Sequence, residues 1–346
     1  MKLAPIRTRG FIFTALFFLA LLLPSIQTSN SIAAEKEAFD GADGPYQYEI
    51  IDDITLTDPA RNRQIPLRIY YPKATGLLSP VLLVSHGIGG SRATGNWVGK
   101  YMASHGYICV FMTHYGSDTS LLDLSAGLQE NIKRLQESLK NPLNTINRPQ
   151  DIIQVIDWLE QTGISHPILK GRMDLKNTGL TGHSFGAFTT LAVAGGYAEA
   201  SRKQYGKTFS DPRPKAFLGM SPPGTSPGVD PGTIFNEITR PTMIMTGSND
   251  LDPIVKPPRT AESRMDAYKY MPSGDKYALW IEGAYHHTFG DGRPGQTIDP
   301  FARKITRIVL LAFFDAYLKN SEAAKALFKS DLVEKLGESK VKFFQK

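Results

Sequence analysis

Gly182-His183-Ser184-Phe185-Gly186 is the segment whose reading decides the fold. Its G-x-S-x-G pattern is that of a nucleophile elbow: a strand enters a tight turn, a serine sits at the tip, and a helix starts at once. The flanks suit that reading. Thr178-Gly-Leu-Thr181 is short and apolar enough for a buried strand, and Ala187-Phe-Thr-Thr-Leu-Ala-Val-Ala194 can form a buried helix. Glycines at 182 and 186 suit a place where strand and helix pass too close for a Cβ. Taken alone, the five residues also fit a chance glycine-rich turn, so the weight falls on residues further along the chain.

A serine hydroxyl is a weak nucleophile near neutral pH. It needs a histidine base, and the histidine needs a carboxylate to fix its tautomer and stabilise its charged form. With this elbow the chain order is Ser, then Asp or Glu, then His. Pro241-Thr-Met-Ile-Met-Thr246 reads as a buried strand leading into Gly247-Ser-Asn-Asp-Leu-Asp252. Asp250 lies just past that strand end. Asp252 is its rival for the acid role, although with Pro253 it is also suited to capping the following turn. Tyr277-Ala-Leu-Trp-Ile281 reads as a further strand, followed by Gly283-Ala-Tyr-His-His-Thr-Phe289. His286 and His287 are adjacent, so only one of them can face Ser184.

At three separate places, order and context therefore agree, and the chain resembles the α/β-hydrolase superfamily. More narrowly, it is similar to the dienelactone-hydrolase-like and platelet-activating-factor acetylhydrolase-like esterases. Besides the elbow, the residues that carry this are Ser85-His-Gly-Ile-Gly-Gly-Ser-Arg92 after the strand Val81-Leu-Leu-Val84, Arg148-Pro-Gln-Asp151, Thr246-Gly-Ser-Asn-Asp250 and Gly283-Ala-Tyr-His-His-Thr-Phe289. The resemblance implies an α/β fold with a mostly parallel central sheet flanked by helices. It also implies cleavage of carboxylic esters through an acyl-enzyme, with Ser184 as nucleophile, Asp250 as acid member and His286 as base. His286 is chosen because the family's histidine stands three residues before a phenylalanine, after a Gly-Ala-x step. The backbone N–H of Phe185, the residue after the nucleophile, and that of Ile88 would form the oxyanion hole. No cofactor and no metal are implied. Short acyl groups are the default, since no long apolar lid is visible. A lactone hydrolase or peptidase using the same residues is one alternative. A non-catalytic secreted binding protein on the same scaffold is another, although it would not require all three residues.

Other chemistries fit less well. Asp250, Asp252, His286 and His287 offer oxygen and nitrogen ligands for zinc, but no His-x-x-x-His helix or cysteine cluster accompanies them. The Ser85–Arg92 loop lacks the Gly-Lys-Ser/Thr ending of a phosphate-binding loop. The formal net charge is +6, of which Lys2, Arg7 and Arg9 supply half, and no Lys/Arg-rich run suggests a nucleic-acid surface. A small-molecule ester is the one partner expected, and the oligomeric state is not readable.

Those three basic residues precede the apolar run Phe11–Leu23, of ~13 residues where a membrane span needs ~20. Ser31, Ala33 and Ala34 come next. Residues 1–34 thus read as a signal peptide and 35–346 as the hydrolase domain, exported to the periplasm or secreted, with an uncleaved signal anchor as the competing reading. Arg7 and Arg9 are not adjacent, which disfavours the twin-arginine route, and no cysteine stands after the run to carry a lipid. The one cysteine, Cys109, lies in Tyr107-Ile-Cys-Val-Phe111, a core strand, and is expected to be a buried thiol.

Strands are expected at 81–85, 107–113, 178–181, 215–220, 242–246 and 277–281, alternating with helices as in a parallel sheet. Before them, 46–57 and 66–71 suit an antiparallel hairpin. Arg148 is expected to open a helix, and 299–319 to form a terminal one. Residues 117–145 and 222–238 leave from the carboxyl edge of the sheet and form either a cap or plain surface loops. His86 is expected to hold its loop by hydrogen bonds and His183 to pack beside Ser184. His105, His114 and His166 are expected at the surface or in loops.

Overall fold

Val81–Val84 and Ile108–Met112 are apolar at every position, which is what a strand needs when both of its faces are covered. The computed structural model of the 346-residue chain describes Met1 and residues 39–251, 254–255, 259–292 and 297–346. Contacts divide the chain into residues 1–38 and 39–346, and the second unit carries the sheet, its helices and the candidate site. The signal peptide expected at 1–34 lies outside the described residues.

The strands are β1 (Tyr48–Ile51), β2 (Thr55–Asp58), β3 (Arg63–Pro72), β4 (Ser79–Ser85), β5 (Ile108–Met112), β6 (Met173–His183), β7 (Pro214–Met220), β8 (Thr242–Asn249), β9 (Lys276–Tyr285) and β10 (Val341–Gln345). They form one sheet in the order β1-β3-β5-β4-β6-β7-β8-β9-β10, with β2 paired to β3 alone. From β5 through β9 the pairing is parallel, and both ends are antiparallel. This is the mixed, mostly parallel sheet of an α/β hydrolase. All six strands read from the apolar runs are present. The expected hairpin forms between β2 and β3, and β1 pairs with β3 beyond a break at Asp52–Ile54.

The helices are α1 (Asn96–Ser104), α2 (Leu128–Lys140), α3 (Pro142–Gln161), α4 (Phe185–Ala194), α5 (Ala198–Tyr205), α6 (Pro231–Phe235), α7 (Asp266–Tyr270), α8 (Pro300–Leu318), α9 (Glu322–Lys329) and α10 (Leu332–Leu336). One face of the sheet buries Leu82, Val84, Cys109, Leu218 and Leu279 against α1 and α8. The other buries Val81, Leu83, Val110, Leu180 and Ile244 against α3 and α4. Alternate residues of each central strand thus feed two separate cores, as the period of a strand requires. Cys109 lies in the first core, fully buried.

Two expectations need correction. Arg148 does not open its helix: α3 starts at Pro142, where the Asn141 side chain accepts from the Leu143 N–H, and Pro149 lies inside it. An Asn cap followed by Pro at the first helical position is a stronger start signal than Arg-Pro, and Pro149 costs only one ladder bond. Nor is α8 terminal. After it come α9, α10 and β10, which adds an antiparallel edge beyond β9.

Candidate active site

β6 runs directly into the elbow. Ser184 stands between strand and helix at φ 57°, ψ −117°, a region costly for any residue with a side chain. Its N–H donates to Met220 O at 2.9 Å, and α4 begins with Phe185. A Cβ on Gly186 would fall inside the Ser85 carbonyl, and one on Gly182 inside the backbone of Gly186. The glycine spacing of the motif is therefore a steric requirement of this crossing.

The other two residues arrive from the carboxyl ends of β8 and β9. His286 Nε2 lies 2.9 Å from Ser184 Oγ, and its Nδ1 lies 2.8 Å from Asp250 Oδ1. A carboxylate can only accept, so Nδ1 carries the proton and Nε2 faces the serine as an acceptor. Asp250 is fully buried, whereas Ser184 and His286 are part-exposed. His287 stacks on Tyr285 instead, ring centroids 5.4 Å apart. Asp252 lies outside the described residues.

Sequence reading missed what surrounds the carboxylate. Asp250 Oδ2 accepts from the hydroxyls of Ser221 and Thr246, and the buried Arg264 lies 3.0 Å from Oδ1 and donates to the Asp250 carbonyl. Burial pushes the Asp250 carboxyl up, but the His286 bond, Arg264 and Ser221 outweigh it and hold the group below the usual carboxylate range. Ser221 directly follows β7 and Thr246 lies within β8. Their place at the carboxyl edge was the available signal, whereas Arg264 belongs to no motif.

His183, the second residue of the elbow, donates from Nε2 to the His286 carbonyl at 2.8 Å. Burial, with His286 beside it, pushes its pKa down to about 3, so the ring is neutral and braces the histidine loop against the elbow.

Behind the Ser85–Arg92 loop lies a second polar cluster. His114 Nε2 lies 3.0 Å from Ser85 Oγ, and His114 Nδ1 lies 3.0 Å from Asp151 Oδ2. These bonds repeat the Ser-His-Asp pattern, but all three residues are sealed from solvent, so no substrate reaches them. His114 thus lies in the loop after β5, as expected, but is buried and not at the surface. His105 and His166 are part-exposed. His114 N–H also donates to His86 Nε2, and His86 Nδ1 donates to Gly87 O.

Arg148, fully buried, ties this cluster to the elbow. It donates to Ser85 Oγ (3.1 Å), the His86 carbonyl, Ser117 Oγ (2.8 Å) and Thr189 Oγ1 (2.9 Å), and its Cζ lies 4.5 Å from the Phe185 ring centre. Gly87 in turn packs on Ser184, where an added Cβ would sit 3.4 Å from the serine Cβ. The N–H of the next residue, Ile88, has no acceptor among the described residues, and the first N–H groups of any helix, here that of Phe185, lack intrahelical partners.

The buried imidazoles make the protein acid-sensitive. Burial, with Arg148 nearby, pushes His114 down to about 4, and burial holds His86 well below its ordinary value. Unfolded, both titrate near 6.5. Between about pH 6.5 and 4 the unfolded chain binds protons that the native chain refuses, so stability falls with pH. At pH 5.5 the expected loss from His114 is roughly 1 kcal/mol relative to pH 7.5, and His86 acts in the same direction. Urea midpoints measured at both pH values check this, and equal midpoints refute it.

Residues 117–145 contain α2 and the start of α3, and residues 222–238 contain α6. Both segments line one cavity, of about 620 Å³, whose wall also includes Phe185 and Phe188. Among the described residues no helix is long and apolar enough to cross a membrane.

Residues 62–201 match the model of the X-Pro dipeptidyl-peptidase (S15) family. The chain is also 23% identical, over 257 residues, to a platelet-activating factor acetylhydrolase of Cavia porcellus, covering 66% of this chain and 52% of that protein. The chain thus spans about half the length of the curated relative it matches. S15 peptidases have the α/β-hydrolase fold, in agreement with the strand order and pairing of this sheet. Both matches are to hydrolases, one named for peptides and one for an acetyl group.

Proposed function

We propose that the chain is a serine hydrolase that cleaves carboxylic esters of short acyl groups through an acyl-enzyme. The observation that carries this is the unbroken line from Ser184 Oγ through His286 to Asp250, at 2.9 and 2.8 Å, on a part-exposed serine. In this reading His286 takes the Ser184 proton as Oγ attacks the ester carbonyl, then gives it to the leaving alcohol. Asp250 fixes the Nδ1–H tautomer and stabilises the imidazolium. The N–H groups of Phe185 and Ile88 receive the oxyanion. Water, deprotonated by His286, then adds to the acyl carbonyl and frees the acid and Ser184. No cofactor takes part. Segments 117–145 and 222–238 act as the cap. Residues 1–34 direct export, which N-terminal sequencing of the natural protein tests.

A second reading, cleavage after an X-Pro dipeptide, has the S15 match in its favour. Such a substrate presents a cationic amino terminus. Among the described residues the cavity beside the elbow offers it Lys140 and Arg259 but no carboxylate, which favours the ester. Fluorophosphonate labelling, followed by rates on p-nitrophenyl acetate and on Gly-Pro-p-nitroanilide, tests the choice. Labelling of Ser184 with turnover of the ester alone is expected, and preferential turnover of the anilide would overturn it.

Arg148 lies beneath both sides of the proposed oxyanion hole, bonding the His86 carbonyl in the loop that leads to Ile88 and packing on the Phe185 ring. Lysine cannot reproduce its fork, so Arg148→Lys is expected to lower kcat by about 10²-fold with little change in KM, approaching the loss of one oxyanion donor. Steady-state kinetics on p-nitrophenyl acetate checks the split. A change confined to KM would refute it.

A further inference from the structure

Phe185, the residue after Ser184, begins a run of packed rings that leads away from the nucleophile. Its ring stacks on that of Phe188, one turn on in α4, with centroids 5.5 Å and planes 28° apart. Phe188 meets Tyr197 at 4.8 Å, and Tyr197 meets Phe235 of α6 edge-on at 5.9 Å. Phe185 and Phe235 are buried, whereas Phe188 and Tyr197 are part-exposed and line the cavity of about 620 Å³ beside the elbow. Leu139 of α2 and Ile234 of α6 line it as well. Tyr197 stands at φ 60°, in the left-handed region that an aromatic residue rarely adopts. Its N–H donates to the Ile234 carbonyl at 2.8 Å, so the 222–238 segment holds the strained residue in place. Strain of this kind persists only where the surroundings enforce it, and it concentrates at ligand sites. Rings braced by other rings cannot swing aside, so the free sides of Phe188 and Tyr197 are preorganised for one more aromatic partner.

We propose that this cavity receives an aromatic ring on the alcohol side of the ester, packed against Phe188 and Tyr197, so that the preferred substrates are short-acyl esters of arylmethyl alcohols. The proposal rests on the ester-hydrolase reading with its short acyl group, and adds to it the class of alcohol. An acetyl-sized group would leave most of a cavity of about 620 Å³ empty, so the other half of the ester is the part that fills it. An aromatic group gains there what a saturated ring of similar size does not, since ring faces and edges attract one another beyond the area they bury.

The test compares benzyl acetate with cyclohexylmethyl acetate on the full protein. The two share an acyl group and have similar leaving alcohols, and the saturated ring has the larger apolar surface, so burial alone favours it. The expected result is the reverse: kcat/KM about 3- to 10-fold higher for benzyl acetate. Phe188→Leu, which keeps an apolar side chain at the wall, should bring the ratio to about 1 or below. Methyl phenylacetate and methyl cyclohexylacetate, which carry the ring on the acyl side, should show no such preference. Equal or inverted rates on the two acetates overturn the proposal, as does an undiminished ratio in Phe188→Leu. A preference for the ring on the acyl side alone overturns it too. Ligand-observed NMR titration of the parent with benzyl alcohol and with cyclohexylmethanol needs neither a variant nor turnover: tighter binding of benzyl alcohol is expected, and equal affinities overturn the proposal. Absence of p-nitrophenyl acetate turnover in the same preparation would count against the ester-hydrolase reading itself, so the two failures are told apart.

Discussion

Ser184→Ala is expected to lower ester turnover by about 10⁵-fold or more and to leave the fold intact. The serine's backbone explains why the variant should fold. Its N–H bond to the Met220 carbonyl does not involve the side chain, and the strained φ of 57° is held by the glycines on either side and not by the hydroxyl. Alanine keeps the Cβ that packs near Gly87. Only Oγ is lost, and with it the nucleophile and the partner of His286 Nε2. Residual rate should come from the oxyanion amides acting on water. Rates on p-nitrophenyl acetate beside a circular-dichroism spectrum check both halves. A natively folded variant with near-parent activity would sink the reading of this site.

Asp250→Asn should lower kcat by about 10³–10⁴-fold with a smaller change in KM, by analogy with other Ser-His-Asp sets. The cause lies in the buried carboxylate's partners. One oxygen takes the His286 Nδ1 hydrogen, and the other takes two hydroxyls, those of Ser221 and Thr246. An amide cannot accept on both sides. If its NH₂ faces His286, the ring must carry its proton on Nε2 and can no longer accept from Ser184. If it faces the hydroxyls, both must turn, and Arg264 still lacks the charge it faces. Full kcat in a folded Asp250→Asn protein would move the acid role to another carboxylate. A loss seen in KM alone would deny Asp250 a part in the chemical step.

The parts of this molecule that repeat a simple physical rule were legible. Strands covered on both faces are unbroken apolar runs, so β4 through β9 could be placed from composition and length. The elbow was legible because steric crowding leaves glycine alone at 182 and 186. Strand ends then indicated where Asp250 and His286 would arrive. What escaped was polar and buried. His114 comes two residues after an apolar strand, and nothing in its neighbours says that the segment turns inward to Asp151 and Ser85. Arg148 lay in a quoted motif, yet its contacts with Ser85, His86, Ser117 and Thr189 join four places far apart in sequence. Arg264 has the same history: a short-helix position whose partners are set by tertiary placement. β10 was missed because five residues containing Lys342 and two adjacent phenylalanines match no period well.

That last strand governs more than the count of the sheet. β10 covers β9 from Tyr277 to Ile281, the run that leads into His286. Without it, β9 would present a row of unpaired N–H and C=O groups flanked by Leu279 and Ile281, the kind of open edge on which chains of the same sequence add to one another. A stop codon just ahead of Val341 would leave every residue of the Ser184 site encoded and still yield a protein prone to aggregate. Protection of that edge thus rests on residues that touch no substrate.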